Sequence, residues 1–408
     1  MSAAELEIGS GQRGKPPDVG AVRVALFGGF GIGNFGNDAS LEATADYLRA
    51  EYPHIVLCSI CSAPQAAADK FGLPTYATGG APSGLLRLVD IALLRVPRTI
   101  WNWLYAFRIL KRVDVMLVAG TGVFDDYRDS PFGWPSRLLR WSLAARLSGV
   151  RLVFLSVGAG PIVNPISRLL MKASARLAQH RSYRDADSRA FMQSIGMDES
   201  RSTVLPDLAF LLPSPEARRP AGAPLTVGVG VMNYRGWRDS DAAFDAYVAV
   251  HVRLIQWIEA KGYRARILIG QTPVDLKAVR AIEGRVGHTL MKPGDAELNS
   301  FQDAMAAAAE TDVVVASRYH VQIAALKAGR PLISLSYAPK NDSLLAEAGL
   351  GEFVQPIEQV DFDRLTGQIE TLLKERDRYS ALVRARVADM EARLEGAIRD
   401  LDLLAPRG

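Results

Sequence analysis

The chain is predicted to be α/β, with two doubly wound parallel-sheet domains that face a cleft. Three observations carry this. Apolar runs of strand length alternate with helical periods along most of the chain. A stretch rich in Pro, Ala and Arg interrupts the alternation at 213–224. The 408 residues, 49% of them apolar, suffice for two cores.

In chain order, residues 1–20 hold Gly, Pro, Ser and charges without an apolar core, so they read as a disordered tail, not a signal peptide. An N-terminal domain at 21–212 follows, with strands expected at 22–27, 55–60, 113–119 and 152–157. Beyond the linker at 213–224, a second domain at 225–375 has strands expected at 225–231, 265–270, 312–316 and 332–336. A last helix, alternating Arg and Lys with Glu and Asp, is expected from about 363 to 404, its residues 376–408 packing across the domains. Ligands of such folds bind at the carboxyl ends of the strands.

Composition excludes several classes. The net charge of +4 comes from dispersed basic residues, which argues against nucleic acid. The apolar runs are too short to span a membrane. Cys58 and Cys61 share the spacing of a redox pair, but a strand would turn them to opposite faces, so a reduced cytosolic pair is expected. His/Cys/Asp/Glu spacing offers no metal site. Residues 88–112 mix Leu, Ile, Trp and Phe with Arg87, Arg95, Arg98 and Arg108, interrupted by Pro97. Two readings apply: a helix packed on the sheet with snorkelling arginines, which is favoured, or a peripheral contact with an anionic membrane.

Gly31-Ile-Gly33-Asn34-Phe-Gly36 follows a strand and precedes a helix, as a dinucleotide loop does. The second strand, however, ends without the carboxylate that would hold a ribose. What remains is a loop whose backbone approaches a ligand, with Asn34, Asn37 and Asp38 as hydrogen-bonding groups; the alternative is a tight turn needing glycine for its dihedral angles. Gly120-Thr121-Gly122 and Gly158-Ala-Gly160 end two further strands, so three glycine-bearing ends keep one sheet edge open.

The segment 316–341 is the most informative. A strand at 312–316 leads to a helix that Ser317 is expected to cap and Gly329 to end. Arg318 and His320 then sit at a helix start, where backbone N–H groups favour an anion, and Lys340 follows the next strand at the same sheet edge. Three basic groups at one point predict a small, highly charged anionic substrate. His54, His180, His251 and His288 lack such company and read as surface or helix residues. Gln271 is a candidate for the same edge, or else a helix cap; Asn233, Tyr234 and Arg235 are weaker candidates.

Four pieces, in order, resemble the polysaccharide pyruvyl transferase family. They are Gly33-Asn-Phe-Gly-Asn-Asp38, Tyr183-Arg-Asp-Ala-Asp-Ser188, Pro206-Asp-Leu-Ala-Phe210, and Ser317-Arg-Tyr-His320 followed by Ser336-Tyr-Ala-Pro-Lys340. Asn37 stands where the family usually has Asp, and Leu208 where it usually has Pro. The resemblance implies a GT-B-like fold and a phosphoenolpyruvate-dependent transferase. Such an enzyme moves a pyruvate ketal onto two hydroxyls of a sugar, often in a lipid-linked envelope or exopolysaccharide precursor. It implies no cofactor, and a cytoplasmic site, with the membrane's inner face as an alternative. Arg318, Lys340 and, by resemblance, Arg184 are the expected anion-binding cations. His320 is the expected general acid, because histidine titrates nearest neutrality, and Asp38 a base toward the acceptor. Gly33, Asn34, Asn37, Gly120, Thr121, Gly158 and Gln271 complete the expected binding residues. The rival is a nucleotide-sugar glycosyltransferase; Glu347 and Glu352 are not spaced like the paired glutamates of such enzymes.

Overall fold

A computed structural model describes residues 21–80, 82–127, 129–216, 222–236, 239–292, 294–295 and 298–404. The expected tail and residues 217–221 of the expected linker lie outside them. The chain folds into two compact units: residues 1–32, 40–211 and 393–408 form the first, and 33–39 with 212–392 the second. Two short pieces therefore depart from a simple halving of the chain. The glycine loop at 33–39 belongs to the second unit, and the last helix contributes to both.

In the first unit the order is β1 (Arg23–Gly28), α1 (Phe35–Glu51), β2 (Val56–Cys61), α2 (Pro64–Phe71), β3 (Thr75–Ala77), α3 (Leu85–Ala92), α4 (Val96–Leu110), β4 (Val115–Ala119), α5 (Trp134–Leu147), β5 (Arg151–Val157), α6 (Pro165–Arg176), β6 (His180–Tyr183), α7 (Ala186–Ser194) and β7 (Thr203–Val204). The seven strands form one sheet, β3-β2-β1-β4-β5-β6-β7, and every pairing is parallel. Chain order reverses between β1 and β4, where Val24 pairs with Val115. Ligands of doubly wound sheets bind at such reversals. The central strands are buried and mostly apolar because helices cover both faces. Phe27, Met116, Trp141, Phe124 and Phe154 fill one core.

The second unit runs β8 (Thr226–Gly230), α8 (Asp241–Ala260), β9 (Arg264–Leu268), α9 (Leu276–Val286), α10 (Phe301–Ala309), β10 (Val313–Ala316), α11 (Tyr319–Lys327), β11 (Leu332–Ser336), α12 (Pro339–Glu347), β12 (Val354–Pro356), α13 (Phe362–Lys374) and α14 (Arg376–Asp400). Its sheet, β12-β11-β10-β8-β9, is also parallel and reverses between β8 and β10.

The eight expected strands all form, with ends shifted by up to two residues. The sequence reading missed β3, β6, β7 and β12, which are two to four residues long and too short to carry a pattern. The charged C-terminal stretch is two helices, not one, broken at Glu375. Pro97 does not interrupt a helix; it sits in the first turn of α4, where its missing N–H costs nothing, and the break falls at Leu94 and Arg95, both with positive φ. One side of α4 buries Tyr105, Ala106, Ile109 and Leu110 as the packing reading expects. Cys58 and Cys61 lie on β2 and are not disulfide-bonded, and burial pushes the Cys58 thiol up to about 12, which removes the reactive thiolate. Among the described residues, no helix is long and apolar enough to cross a membrane.

Candidate active site

In the second unit, the carboxyl ends of β9, β10 and β11 carry Gln271, Arg318, His320 and Lys340. Ser317 is not the cap of α11. Arg318 takes that position with extended backbone, and Ser317 is buried one residue earlier. The loop is braced from two sides. The amide of Gln322 donates to the carbonyl of Ala316 at 2.9 Å and to Ser334 Oγ at 2.8 Å, and Asn341 Nδ2 donates to the carbonyl of Ser317 at 2.9 Å. Asn341 lies in the first turn of α12, so this bond holds the start of α12, where Lys340 sits, to the loop bearing Arg318 and His320.

Arg318 points toward the end of β9. Its Nη2 pairs with Asp275 and its Nη1 donates to Gln271 Oε1 at 3.4 Å. Asp275 is fully buried and accepts three backbone N–H groups besides: Gly270 at 3.1 Å, Gln271 at 2.9 Å and Asn233 at 3.3 Å. One carboxylate thus ties the loops after β8 and β9 to the arginine after β10. A buried carboxylate needs this many donors to offset its desolvation. The sequence reading missed Asp275; its place four residues after Gln271, in the same loop, was the available signal. Arg318 Nε is buried and makes no hydrogen bond among the described residues.

Lys340 Nζ lies 5.6 Å from the ring centroid of Tyr319 and 5.0 Å from that of Tyr337, an aromatic pair that holds the ammonium by its π faces. The Tyr319 ring meets the His320 ring edge-on at 5.3 Å. His320 also lies against the backbone of Gly36, in the 33–39 piece of this unit. A β-carbon on Gly36 would overlap the imidazole. Gly270 likewise makes room for the Arg318 stem. Neither glycine has positive φ, so both are required by space and not by dihedral angle.

The loop before α1 explains its other residues locally. Asn34 Oδ1 accepts the N–H groups of Gly36 at 3.1 Å and Asn37 at 3.4 Å, an N-cap of α1. Gly33 has φ +76° and lies near the carbonyl of Thr272, and Asp38 is buried in the first turn of α1. Tyr234 and Arg235 are engaged elsewhere, Tyr234 donating to Glu358 at 2.7 Å and Arg235 pairing with Asp239 and Asp241. His251, read as a surface or helix residue, is a core residue of α8, fully buried against Tyr247 with Nδ1 2.8 Å from the Tyr247 carbonyl; burial lowers its pKa to about 4.

The first unit holds Gly120, Thr121, Gly158 and Arg184. The Thr121 carbonyl accepts the Gly158 N–H at 2.7 Å, and both Gly120 and Thr121 have positive φ. A β-carbon on Gly158 would come under 3.0 Å from the Arg184 guanidinium. Arg184 is buried between Asp185 (3.4 Å) and Asp207 (3.7 Å). Its charge is matched within its own unit by these two carboxylates. Asp185 also caps α7 through Ser188 N at 2.6 Å, and Ser188 Oγ accepts the Ala159 N–H at 2.9 Å.

The comparisons agree with this architecture. A search of the curated proteins finds no match. Among solved structures, UDP-GlcNAc 2-epimerase from Neisseria meningitidis bound to UDP-GlcNAc is similar at 11% identity and a TM-score of 0.56, covering 93% of this chain and 99% of that one. Anabaena HepE in complex with UDP is similar at 13% identity and 0.56, with the same coverage. The glycotransferase of kitacinnamycin is similar at 15% identity and 0.53, covering 94% and 99%. At such identity these likenesses establish the GT-B-like fold alone. The model of polysaccharide pyruvyl transferases matches residues 34–339, a span that includes the Asn34 cap, Arg184, Asp275, Arg318 and His320. The chain therefore belongs to the polysaccharide pyruvyl transferase family and is a transferase.

Proposed function

We propose that the protein transfers pyruvate from phosphoenolpyruvate, as a cyclic ketal, onto two hydroxyls of a sugar in a cell-envelope or exopolysaccharide precursor, on the cytoplasmic side. The observation that carries this reading is the grouping of Arg318, His320 and Lys340 around one braced loop at the carboxyl edge of a parallel sheet. Phosphoenolpyruvate has a phosphate and a carboxylate on three carbons. Arg318, held through Nη2 by Asp275 and through Nη1 by Gln271, has further guanidinium N–H groups to offer as a planar donor to one group. Lys340 supplies a point charge to the other.

In this mechanism His320 protonates the methylene carbon of the enol, which leaves C2 electrophilic. One sugar hydroxyl adds to C2 and a second displaces phosphate, closing the ketal. The two hydroxyl protons restore His320 and leave with phosphate. Asp38 is the base toward the acceptor. Arg184, its charge already matched, serves as a hydrogen-bond donor to sugar hydroxyls beside the backbone of Gly120, Thr121 and Gly158. The protein uses no cofactor in this scheme.

The test is acceptor-dependent phosphate release from phosphoenolpyruvate. His320→Ala is expected to lower the rate by about 10²-fold. Thermal stabilisation by UDP-sugars alone, with no phosphate release from any saccharide acceptor, overturns the reading in favour of a nucleotide-sugar enzyme.

A further inference from the structure

The first unit contains a cavity of 790 Å³ between the α3–α4 break, α4 and α5, away from Gly120, Gly158 and Arg184 in the chain. Four arginines line it, Arg95, Arg98, Arg137 and Arg140, and among the described residues no carboxylate does. Arg98 is paired behind the wall with the buried Asp90 at 3.6 Å. Arg140 Nη2 donates to the Thr78 carbonyl at 2.5 Å and Arg137 Nε to the Gly133 carbonyl at 3.3 Å. Arg140 Nε is buried with no hydrogen bond among the described residues. Burial, and then the like charge of Arg137, lower the Arg140 pKa to about 10. A pocket that collects four cations against a single neighbouring carboxylate is built for an anion.

Its rim is apolar. Leu94 and Phe132 line the cavity and are 85% and 84% exposed. Leu94 and Arg95 both have positive φ, a conformation that costs about 1–2 kcal/mol per residue. Along the same segment Leu93, Ile100, Trp101 and Leu104 are each half exposed or more. Exposed large apolar side chains gathered along one segment mark an interaction surface when they form a patch. A free anion accounts for the arginines but not for the rim; a phosphate attached to acyl chains accounts for both.

We propose that this cavity is a docking site for the phosphate headgroup of a membrane lipid, with Leu94 and Phe132 entering the acyl layer beside it. The experiment is co-sedimentation of the full chain with phosphatidylcholine vesicles, with and without phosphatidic acid. Binding is expected only with phosphatidic acid. Arg95→Gln with Arg137→Gln is expected to weaken it about tenfold or more. Arg378→Gln with Arg386→Gln, which removes the same charge from an exposed helix, is expected to leave it unchanged. Leu94→Ser, at an exposed position, is expected to weaken it without affecting the fold. Absence of binding by the wild type, equal binding to neutral vesicles, or equal loss in both arginine pairs overturns the proposal. So does protection of the cavity by inorganic phosphate without vesicle binding, which would make it a site for a soluble anion.

Discussion

Gly36, Gly158 and Gly270 each leave the volume that a candidate side chain occupies: His320, Arg184 and Arg318 respectively. This answers a question that spacing alone left open. Some glycines of the strand-end loops, such as Gly33 and Gly120, have positive φ, whereas these three do not and are there for space. Gly36 lies in α1, where Ala would by itself favour the helix by up to about 1 kcal/mol. Gly36→Ala is therefore expected to keep or nearly keep the melting temperature while displacing His320. The phosphate-release rate should fall about 10²-fold, the usual cost of a misplacement near 1 Å. An unchanged rate in a folded variant would show that the imidazole position does not matter. Asp275 makes a different point at this scale: a hub that joins three loops has no periodicity, and its role exists only once the three loops meet.

At the scale of elements, α11 is positioned from both ends. Its start is tied to β11 through Gln322 and to α12 through Asn341. Its last turn carries Lys327, whose buried side chain pairs with Glu391 on α14. Burial lowers the Lys327 pKa, and Glu391 opposes that shift. Glu391→Gln removes the carboxylate from a buried ammonium and is expected to cost about 2 kcal/mol in urea unfolding, below the range for fully buried pairs because Glu391 is partly exposed. Adding Lys327→Met should recover most of the loss. A neutral Glu391→Gln would mean that α14 does not anchor α11 through this pair. The charged pattern of the C-terminal residues announced a solvated helix but concealed this contact, because a pattern of charges does not say which one is buried. The segment at 88–112 shows the opposite case. Both of its readings draw on real features, since α4 packs one side and exposes Ile100, Trp101 and Leu104 on another.

In the whole molecule each parallel sheet reverses its chain order once, at β1/β4 and at β8/β10, and the Arg318 loop follows β10 at the second reversal. The stability of the second unit should depend on acid through His251. Its folded pKa of about 4 lies below the unfolded value of 6.5, so between these pH values the unfolded chain binds more protons. Stability is then fully present above pH 6.5 and declines as pH falls toward 4, by ~3 kcal/mol at most. His251→Phe is expected to flatten that decline in urea midpoints measured across the window. An identical slope in the variant would assign the acid sensitivity to other groups.

The α/β class, the eight long strands and the family's motif residues were legible in sequence, because strand burial and motif spacing are local properties, whereas the cap of α11 was read one residue early, at Ser317 instead of Arg318. Tertiary structure alone decided that Arg184 is already neutralised, that Asp275 organises Arg318, that His251 is core, and that four arginines share a cavity with an apolar rim. Each of these depends on burial or on residues distant in the chain meeting in space, and neither has a value until the chain has folded.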